Sequence, residues 1–524
     1  MLVGSFLFRL NNNSLILNGS VKKMNETIIK EKVDGKLTRT EGKIKKRGKK
    51  RNFEEIVKEF ISPFHVSTNK YELESASADL TSLPSYHYKF KKNYLASIIV
   101  RPADTESLSQ LIEKCWELSL PMTIRAAGTS CFSSATPSKG GVIIDMRRIN
   151  KIENIDPEKM TVRVGAGISW LNLIEKLSDY GLAPKAYPTS FKTSCVGGFL
   201  ATPGKAGIGV PKYGTMADSV ISLTLVLPNG KIENISKDSN GEISLDDIAG
   251  TYGIYGAISE VELSLTNLQT SLEIIGYGFS SLQNAINYYK ALMSDIPNKP
   301  LFLSISERKF EQYSHVNFPN QDWLVWAVFY DDPDLASRSV SASKEIALNL
   351  NGIGVDKSYL KEKWRDISDA EVAIGRTSRN IIFQEYWISN DRLLSFYESY
   401  IRRSSKYKFP IAAYTISGEE GWSRVKVFGL SDITRSIEFF TVKAFLHDLS
   451  KEAFKQGDSL YTIGIVNTFY LLKYRREVVD QRKILKKKVD PNDLFNSYRI
   501  VKARMKHWRI SLLFTMAKVL YKIF

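Results

Sequence analysis

The sequence predicts an α+β fold with a strand-rich first domain followed by an α/β second domain. At 524 residues the chain is too long for one compact core, because domains usually hold about 100–150 residues. Short strand patterns separated by glycine-rich loops fill residues 94–266, and longer helical patterns alternate with strands from residue 267 onward. Apolar residues make up 43% of the chain, which is enough to build both cores.

A β-α-β unit opens the first domain. Ser97–Arg101 is a short apolar strand, and Thr105 begins a helix whose apolar residues recur with a 3.6-residue period. Pro121 ends this helix before the strand Met122–Arg125, so a small parallel sheet with a right-handed crossover is expected. Further predicted strands are Val142–Asp145, Ile152–Ile155, Thr161–Val164 and Ala257–Leu265.

A hairpin and a second domain follow. Val220–Leu227 and Lys231–Ile235 flank Asn229-Gly230, which favours a type I′ turn. Helices in the second domain are predicted at Leu282–Met293, Ser339–Leu350, Asn390–Arg403 and Glu438–Gln456, and strands at Leu324–Tyr330 and Arg424–Gly429.

Composition excludes several classes of protein. The three cysteines (Cys115, Cys131 and Cys195) form no C-x-x-C pair, which argues against a disulfide scaffold or an iron–sulfur cluster and favours a reducing, cytoplasmic compartment. The five histidines are scattered without metal-ligand spacing, so no metal site is expected. No segment reaches the roughly 20 apolar residues of a membrane-spanning helix.

The net charge of +17 lies at the two ends. Residues 1–51 carry +10, residues 472–524 carry +11, and the remainder carries −4. A nucleic-acid enzyme would carry its basic groove on the folded body, so no nucleic acid is expected as a partner.

Residues 1–52 form a basic extension of low aromatic content that is expected to be disordered. It lacks the basic start of a signal peptide, and Met24 is a second candidate start.

Three glycine-rich segments carry the chemistry of the first domain. The loop Arg125–Pro137 follows a strand and consists almost entirely of small residues, which lets backbone N–H groups converge on an anion. An ordinary flexible loop is the alternative. Two further clusters, in Pro188–Gly214 and Gly250–Glu260, permit close backbone approach to a flat or charged ligand. Neither a P-loop nor a G-x-G-x-x-G motif after a strand occurs.

These segments resemble the FAD-binding family of vanillyl-alcohol oxidase, p-cresol methylhydroxylase and the glycolate oxidase FAD subunit. Arg125–Pro137 is similar to the family's R-G-x-G-T-x-x-x-G-x-x-x-P pyrophosphate loop, and Gly253–Val261 to its E-G-x-x-G-I-I-T-E, with Tyr252 in place of Glu. Further matches to the family's pattern are Val142–Ile149, Val162–Gly167, Val196–Gly198, Lys212–Gly214 and Leu225–Gly230.

The resemblance implies a domain plan. Residues 53–266 would form the two-subdomain FAD-binding domain of the p-cresol methylhydroxylase type, and 267–456 the α/β cap, or substrate, domain. Residues 457–500 would pack back on the FAD-binding domain, because Asp490–Asn496 is similar to the family's D-P-x-x-I-L-N. Residues 501–524 form a basic amphipathic tail helix.

The resemblance also implies the cofactor and the residues that hold it. Relatives that bind FAD covalently use a His, whose position falls on Thr129, or a Cys, whose position falls on Thr193 or Ser194 with Cys195 offset, so non-covalent FAD is expected. The residues expected to contact FAD are Arg125, Ala126, Ala127, Gly128, Thr129, Ser130, Pro188, Thr193, Gly197, Gly198, Tyr213, Gly253, Gly256 and Ile258.

The sequence departs from the glycolate- and D-lactate-oxidising relatives at three histidines. Ser417 and Arg424 stand at the two histidines of their H-x-G-D-G-N-x-H, and Tyr461 stands at that of S-G-E-H-G-x-G. Imidazoles that bind a metal or accept a proton near neutral pH are therefore missing.

Candidate catalytic groups follow from the expected reaction, in which a hydride moves from a substrate carbon to flavin N5. Arg365 is the candidate clamp for a carboxylate. Tyr461, Glu419 or Glu420 would manage the proton. The alternatives are a surface arginine, a packed tyrosine and a solvated acidic turn.

Three functions stay open. The first is an FAD-dependent dehydrogenase or oxidase for a small hydroxylated substrate, by default glycolate or D-lactate. The second, favoured by the missing histidines, is a non-catalytic or electron-transfer flavin subunit. The third is an alkyl-dihydroxyacetonephosphate synthase-like enzyme, which uses flavin without net redox.

The pattern of basic and apolar residues in the tail Val501–Phe524 indicates what this segment contacts. Lys502, Lys506 and Arg509 lie beside an apolar stripe, and a basic amphipathic helix with Trp suits a membrane interface. A helix docked on the protein's own body is the alternative. Attachment to the inner face of a membrane would suit a dehydrogenase that passes electrons to a quinone or a carrier protein. The stripe consists of Met505, Trp508, Leu512, Met516, Val519 and Ile523.

Overall fold

The computed structural model describes residues 52–83, 94–239, 241–314, 321–370 and 380–523. The extension over residues 1–51 lies outside the described residues. The strands are β1 (Val66–Ser67), β2 (Ile98–Val100), β3 (Met122–Arg125), β4 (Val142–Asp145), β5 (Ile152–Asp156), β6 (Thr161–Gly165), β7 (Leu182–Pro184), β8 (Val220–Val226), β9 (Ile232–Ser236), β10 (Ala257–Asn267), β11 (Ser271–Phe279), β12 (Phe302–Glu307), β13 (Trp323–Asp331), β14 (Ile353–Gly354), β15 (Asn380–Ser389), β16 (Ile411–Ser417), β17 (Trp422–Ser431) and β18 (Ser459–Leu460).

The helices accompany three sheets, as an α+β fold requires. They are α1 (Phe53–Val57), α2 (Lys70–Ala76), α3 (Thr105–Glu117), α4 (Trp170–Ser178), α5 (Val196–Ala201), α6 (Val210–Tyr213), α7 (Met216–Ser219), α8 (Leu245–Ile248), α9 (Leu282–Ser294), α10 (Arg308–Ser314), α11 (Pro333–Asn349), α12 (Lys357–Arg365), α13 (Leu393–Ser404), α14 (Ser436–Lys455), α15 (Gly464–Tyr474), α16 (Arg476–Val489) and α17 (His507–Ile523).

The predicted β-α-β unit forms the first sheet. Its strand order is β1-β2-β4-β3, so β4 lies between the two strands of the unit and runs parallel to both. Asp104 caps α3 by accepting a hydrogen bond from the backbone N–H of Ser107, which fixes the start of the helix at Thr105. Its apolar residues Leu108, Leu111 and Ile112 are fully buried, as their period predicts.

The second sheet is antiparallel, in the order β5-β6-β10-β8-β9, with β7 also on β10. The predicted hairpin is β8-β9, but its type I′ turn is wrong. Gly230 has a φ of 89°, whereas Asn229 is not among the residues with positive φ. Pro228 fixes a negative φ at the first turn position, and the Gly230 N–H donates to the Leu227 carbonyl. These features define a type I turn followed by a left-handed glycine.

The third sheet has eight strands in the order β14-β11-β13-β12-β16-β17-β15-β18, and every pair is antiparallel. Successive side chains along each strand point to opposite faces. On β13, Val325 and Ala327 pack into the core formed with α9, α11, α13 and α14. Leu324 and Trp326 share the opposite core with Ile208 of the first domain. The sheet therefore lies between its helices and the first domain.

The chain returns to the first domain after α16. The Asp490 carboxylate accepts hydrogen bonds from the backbone N–H groups of Leu494 (3.0 Å) and Phe495 (2.8 Å) and from Lys486 Nζ (2.5 Å). Lys486 Nζ also donates to the carbonyls of Ile254 and Phe495, each at 2.7 Å. A buried ion pair thus fixes the turn that begins at Asp490 to the loop before β10.

Residues beyond this turn join the loops of the first domain. Asn496 Oδ1 accepts from the Ile124 N–H, and its amide donates to the carbonyls of Tyr252 and Gly253, all at 3.0 Å. Arg499 is fully buried and donates to the carbonyls of Ser134 and Thr136. Strand β3 and two separate loops are therefore held by one C-terminal strip.

Helix α17 packs on α14 through Ile510, Leu513 and Ala517, which are buried. The predicted stripe faces outward, since Trp508 is 56% and Ile523 68% exposed. Within the described residues, none of the helices has the length and apolar character needed to cross a membrane.

Candidate active site

A cavity of about 380 Å³ lies between the glycine-rich loops of the first domain and the inward face of the third sheet. Its size falls in the range of small-molecule sites. The loops form its floor and the sheet forms its roof, so the two sides have different chemistry.

Backbone groups dominate the floor. The N–H groups of Gly128, Thr129 and Ser130 have no acceptor among the residues that the structure describes. Gly128 adopts a left-handed φ of 72°, and a Cβ there would lie 2.2 Å from the Arg125 guanidinium. That guanidinium is folded against the loop and donates to the Ala135 carbonyl. N–H groups without partners beside a cavity suit an anion such as a pyrophosphate.

Close packing brings the other loops to the floor. A Cβ on Gly197 would lie 2.6 Å from Ala166 Cβ, and one on Gly256 would lie 2.7 Å from the Val226 carbonyl oxygen. Only glycine lets the first turn of α5 and the loop before β10 approach this closely. Both glycines also line the cavity, so their backbone is exposed to a ligand there.

Most residues predicted to hold FAD line this cavity. Two of them do not line it. The Arg125 side chain donates to the Ala135 carbonyl within its own loop, and the Tyr213 side chain on α6 packs against the core beside the third sheet. The predicted residues that line the cavity are Ala126, Ala127, Gly128, Thr129, Ser130, Pro188, Thr193, Gly197, Gly198, Gly253, Gly256 and Ile258.

A charged cluster lies in the roof. Glu385 on β15 is directly opposite Lys426 on β17, and Arg424 is two residues away on the same face. Glu385 Oε1 lies 3.3 Å from Lys426 Nζ and 3.5 Å from Arg424 Nη1, and Thr462 Oγ1 donates to Glu385 Oε2 at 2.5 Å. The side chains of the three charged residues are 6–12% exposed. These contacts bring two buried cations and one carboxylate together on the face of the sheet that lines the cavity.

Tyr461 also lines the cavity, but its hydroxyl is already engaged. The oxygen accepts hydrogen bonds from the backbone N–H groups of Lys205 and Ala206, both at 3.1 Å. Burial raises the pKa of the Tyr461 phenol to about 12. A phenol with this pKa is a weak proton acceptor near neutral pH.

The other predicted catalytic residues lie outside the cavity wall. Arg365 ends α12 with its side chain 69% exposed, paired with Asp366 and Glu362. Glu419 pairs with Lys205 at 2.8 Å, and Glu420 is 90% exposed beside Lys299. The structure thus corrects the placement expected for Arg365 and Glu419, since each faces solvent with a neighbouring ion partner.

Sequence reasoning missed the roles of Glu385, Lys426 and Arg424 in the roof. The signal was present as charges at alternate positions of β17, inside an otherwise apolar strand. The sequence alone does not show where these charges lie, because the pairing of β15 with β17 decides which side chains share a face of the sheet.

The residues present fit FAD. Free N–H donors lie on one side of the floor, and bare glycine backbone lies on the other. Burial raises the pKa of the Cys195 thiol, which also lines the cavity, so the thiol stays protonated and a poor nucleophile.

We expect Gly128→Ala to weaken FAD binding by about tenfold, because Ala must adopt a left-handed φ at a cost of about 1 kcal/mol and its Cβ displaces Arg125. Titration of the apoprotein with FAD measures the effect. Gly181→Ala is the matched control, since its φ is 67° and nothing lies within 4 Å of an added Cβ. Equal losses in both variants would contradict a local role for Gly128.

Comparison with known proteins agrees with this geometry. Residues 96–236 match the model of the FAD binding domain family. The chain is 22% identical to glycolate oxidase subunit GlcD of Bacillus subtilis over 78% of this chain and 90% of that protein. It is 31% identical to the mitochondrial D-lactate dehydrogenase [cytochrome] of Arabidopsis thaliana, over 38% of this chain and 35% of the relative.

A solved structure shows the same fold over nearly its whole length. The crystal structure of p-cresol methylhydroxylase with substrate bound superposes with a TM-score of 0.73 at 15% identity, covering 86% of this chain and 96% of that one. Residues 96–236 are an FAD binding domain, and the chain as a whole is similar to FAD-linked oxidoreductases and shares the flavin fold of p-cresol methylhydroxylase.

Proposed function

We propose that the protein is a dehydrogenase that oxidises a small 2-hydroxy acid with non-covalently bound FAD. The observation that carries this proposal is the buried cluster of Arg424, Lys426 and Glu385 in the roof of the cavity, opposite the flavin loops. The names of the glycolate- and lactate-oxidising relatives agree with it.

Arg424 and Lys426 take the substrate carboxylate. A planar guanidinium binds a carboxylate through two parallel hydrogen bonds, and a neighbouring ammonium adds charge. The burial of these two cations strengthens their attraction for a carboxylate. Arg424 and Lys426 thus take the carboxylate-binding role that the sequence analysis assigned to Arg365.

Glu385 accepts the hydroxyl proton of the substrate. Its carboxylate lines the cavity and is oriented by Thr462, Arg424 and Lys426. When bound, FAD supplies the acceptor for the hydride, with its two electrons, that leaves C2 of the substrate. As the C2–H bond breaks, the hydroxyl oxygen loses its proton to Glu385 and forms the second bond to C2, giving a 2-oxo acid.

Tyr461 has a positioning role in this proposal. Its ring lies 5.5 Å from the Arg424 guanidinium and 5.3 Å from the ring of Trp387. Its hydroxyl joins the cap to the backbone at Lys205 and Ala206. The tyrosine thereby holds Arg424 over the floor.

The first experiment is the visible spectrum of the purified protein, before and after acid precipitation, and then during anaerobic addition of D-lactate or glycolate. We expect flavin bands that move to the acid supernatant, because Thr129 stands at the position of the covalent His, and Thr193 or Ser194 at that of the covalent Cys. Either acid should bleach the bands persistently.

Each other outcome favours a different function. Flavin retained in the precipitate would contradict non-covalent binding. Bands that no hydroxy acid bleaches would favour an electron-transfer subunit, or synthase-like chemistry without net redox. A colourless protein that takes up no FAD would contradict the proposal as a whole.

Replacement of Arg424 separates the two candidate clamps. We expect Arg424→Met to lower kcat/KM for D-lactate by about 10- to 100-fold, the range for losing a charge-assisted hydrogen bond. Arg365→Met is the matched control and should leave kcat/KM unchanged, because Arg365 is exposed and paired outside the cavity. Steady-state kinetics at equal FAD content measures both. The reverse order of effects would restore Arg365 as the clamp.

We also propose that electrons pass to a quinone or a carrier protein and that α17 rests on the cytoplasmic face of a membrane. Trp508, Leu512, Val519 and Ile523 form an exposed apolar row on this helix. Residues 472–524 carry a net charge of +11, which attracts anionic headgroups. The buried row on the opposite side keeps the helix docked on α14.

Vesicle sedimentation tests this contact. Binding to phosphatidylglycerol vesicles should weaken about tenfold or more when Trp508 and Leu512 are both replaced by Ser, since two apolar side chains lose their burial. Leu348→Ser, which removes an equally exposed leucine on α11, is the control. No binding by the unchanged protein, or equal binding by all three proteins, would refute the contact.

A further inference from the structure

The roof of the cavity is divided between charge and apolar surface. Its charged residues lie on β15 and β17, while β12, β13 and β16 present Phe302, Trp326, Tyr414 and Ile416. In the strand register, Ser304 is directly opposite both Trp326 and Ile416. These residues therefore share one face of the sheet with Phe302 and Tyr414, which lie two positions away on the same strands. A substrate carboxylate on Arg424 therefore has apolar surface beside it, further along the sheet.

Aromatic rings enclose this apolar part, which we call the chamber: Phe302, Phe310, Trp326, Tyr414, Ile416 and Ile367. The ring centroids of Phe302 and Trp326 are 5.0 Å apart, and those of Phe310 and Tyr414 are 4.5 Å apart. Three strand spacings separate β17 from β13, roughly 14 Å. Glycolate or lactate held at Arg424 reaches Ile416, which is directly opposite, but ends well short of Trp326.

Lys426 borders the chamber at Tyr414, and among the described residues Lys363 is the cation at its Phe310–Trp326 end, where it is already neutralised. Lys363 Nζ lies 2.8 Å from both carboxylate oxygens of Glu311, and 5.4 Å from the rings of Phe310 and Trp326. Glu311 has no exposed surface and accepts further hydrogen bonds from Ser306 and Tyr359. A second anionic group of a substrate would have to compete with Glu311, so the chamber favours an uncharged tail.

We propose that the substrate is a 2-hydroxy acid with a medium-length aliphatic or aromatic tail, which the chamber of Phe302, Phe310, Trp326 and Tyr414 removes from water. The inference rests on the proposed function, because Arg424 must first hold the carboxylate. The hydrophobic gain per carbon then sets the preference among hydroxy acids. Glycolate and lactate are turned over only as poor analogues.

The unmodified holoenzyme tests this with D-lactate, D-2-hydroxybutanoate, D-2-hydroxyhexanoate and D-2-hydroxyoctanoate under one electron acceptor. We expect kcat/KM to rise by about threefold to fourfold per added methylene, the ratio that burial of one CH₂ gives. D-2-Hydroxyglutarate is the matched probe for Lys363, because it places a carboxylate where D-2-hydroxyhexanoate places methylenes. It should be the poorer substrate of the two.

A flat or falling series, or a preference for D-2-hydroxyglutarate over D-2-hydroxyhexanoate, would overturn the inference while leaving hydroxy-acid oxidation intact. Failure of every acid in the series to reduce the flavin would instead refute the proposed function. Ser304→Leu narrows the chamber beside Trp326 and should lower the ratio of kcat/KM for the octanoate over lactate. Ser304→Thr, which keeps the hydroxyl, is its control. An unchanged ratio in the leucine variant would also count against the chamber.

Discussion

The buried contacts of residues 490–499 hold the flavin site together. Asp490, paired with Lys486, shapes a turn that places Asn496 and Arg499 against β3 and two loops that are distant in sequence. Side chains such as Tyr252, Ile254 and Tyr255 anchor one loop in the core, but the backbone carbonyls of these loops still need hydrogen-bond donors. Asn496 and Arg499 in this strip donate hydrogen bonds to the carbonyls of Tyr252, Gly253, Ser134 and Thr136. A buried carbonyl without a donor is costly, so the strip and the loops order together.

The two walls of the cavity divide the chemistry between backbone and side chains. The floor offers N–H groups and glycine surface, which suit a large, flat, anionic cofactor. The roof offers Glu385, Arg424 and Lys426 beside aromatic rings, which suit a small acid and its tail. Because one sheet face carries both kinds of roof residue, a change of register by one residue would remove them together.

The sequence predicts the floor better than the roof. Small residues at 126–130 and glycines at 197, 198, 253 and 256 are needed by the backbone itself, so a local pattern is enough to find them. The sequence does not show that the end of α12 faces solvent, where Asp366 and Glu362 pair with Arg365. Glu385 and Lys426 lie 41 positions apart, and only strand pairing brings them together. The turn at Asn229 failed because the preceding Pro228 outweighs the Asn-Gly preference.

The position of Asn496 and Arg499 has a consequence for the nascent chain. On the ribosome, the loops at 126–137 and 250–258 emerge hundreds of residues before the strip that completes them. Cotranslational folding of the first domain therefore yields an open floor, whose carbonyls at Ser134 and Gly253 still face water. We therefore expect the finished polypeptide to bind the cofactor more tightly than the emerging domain does. Proteolytic clipping between α16 and Asn496 would return the mature protein to that unfilled state.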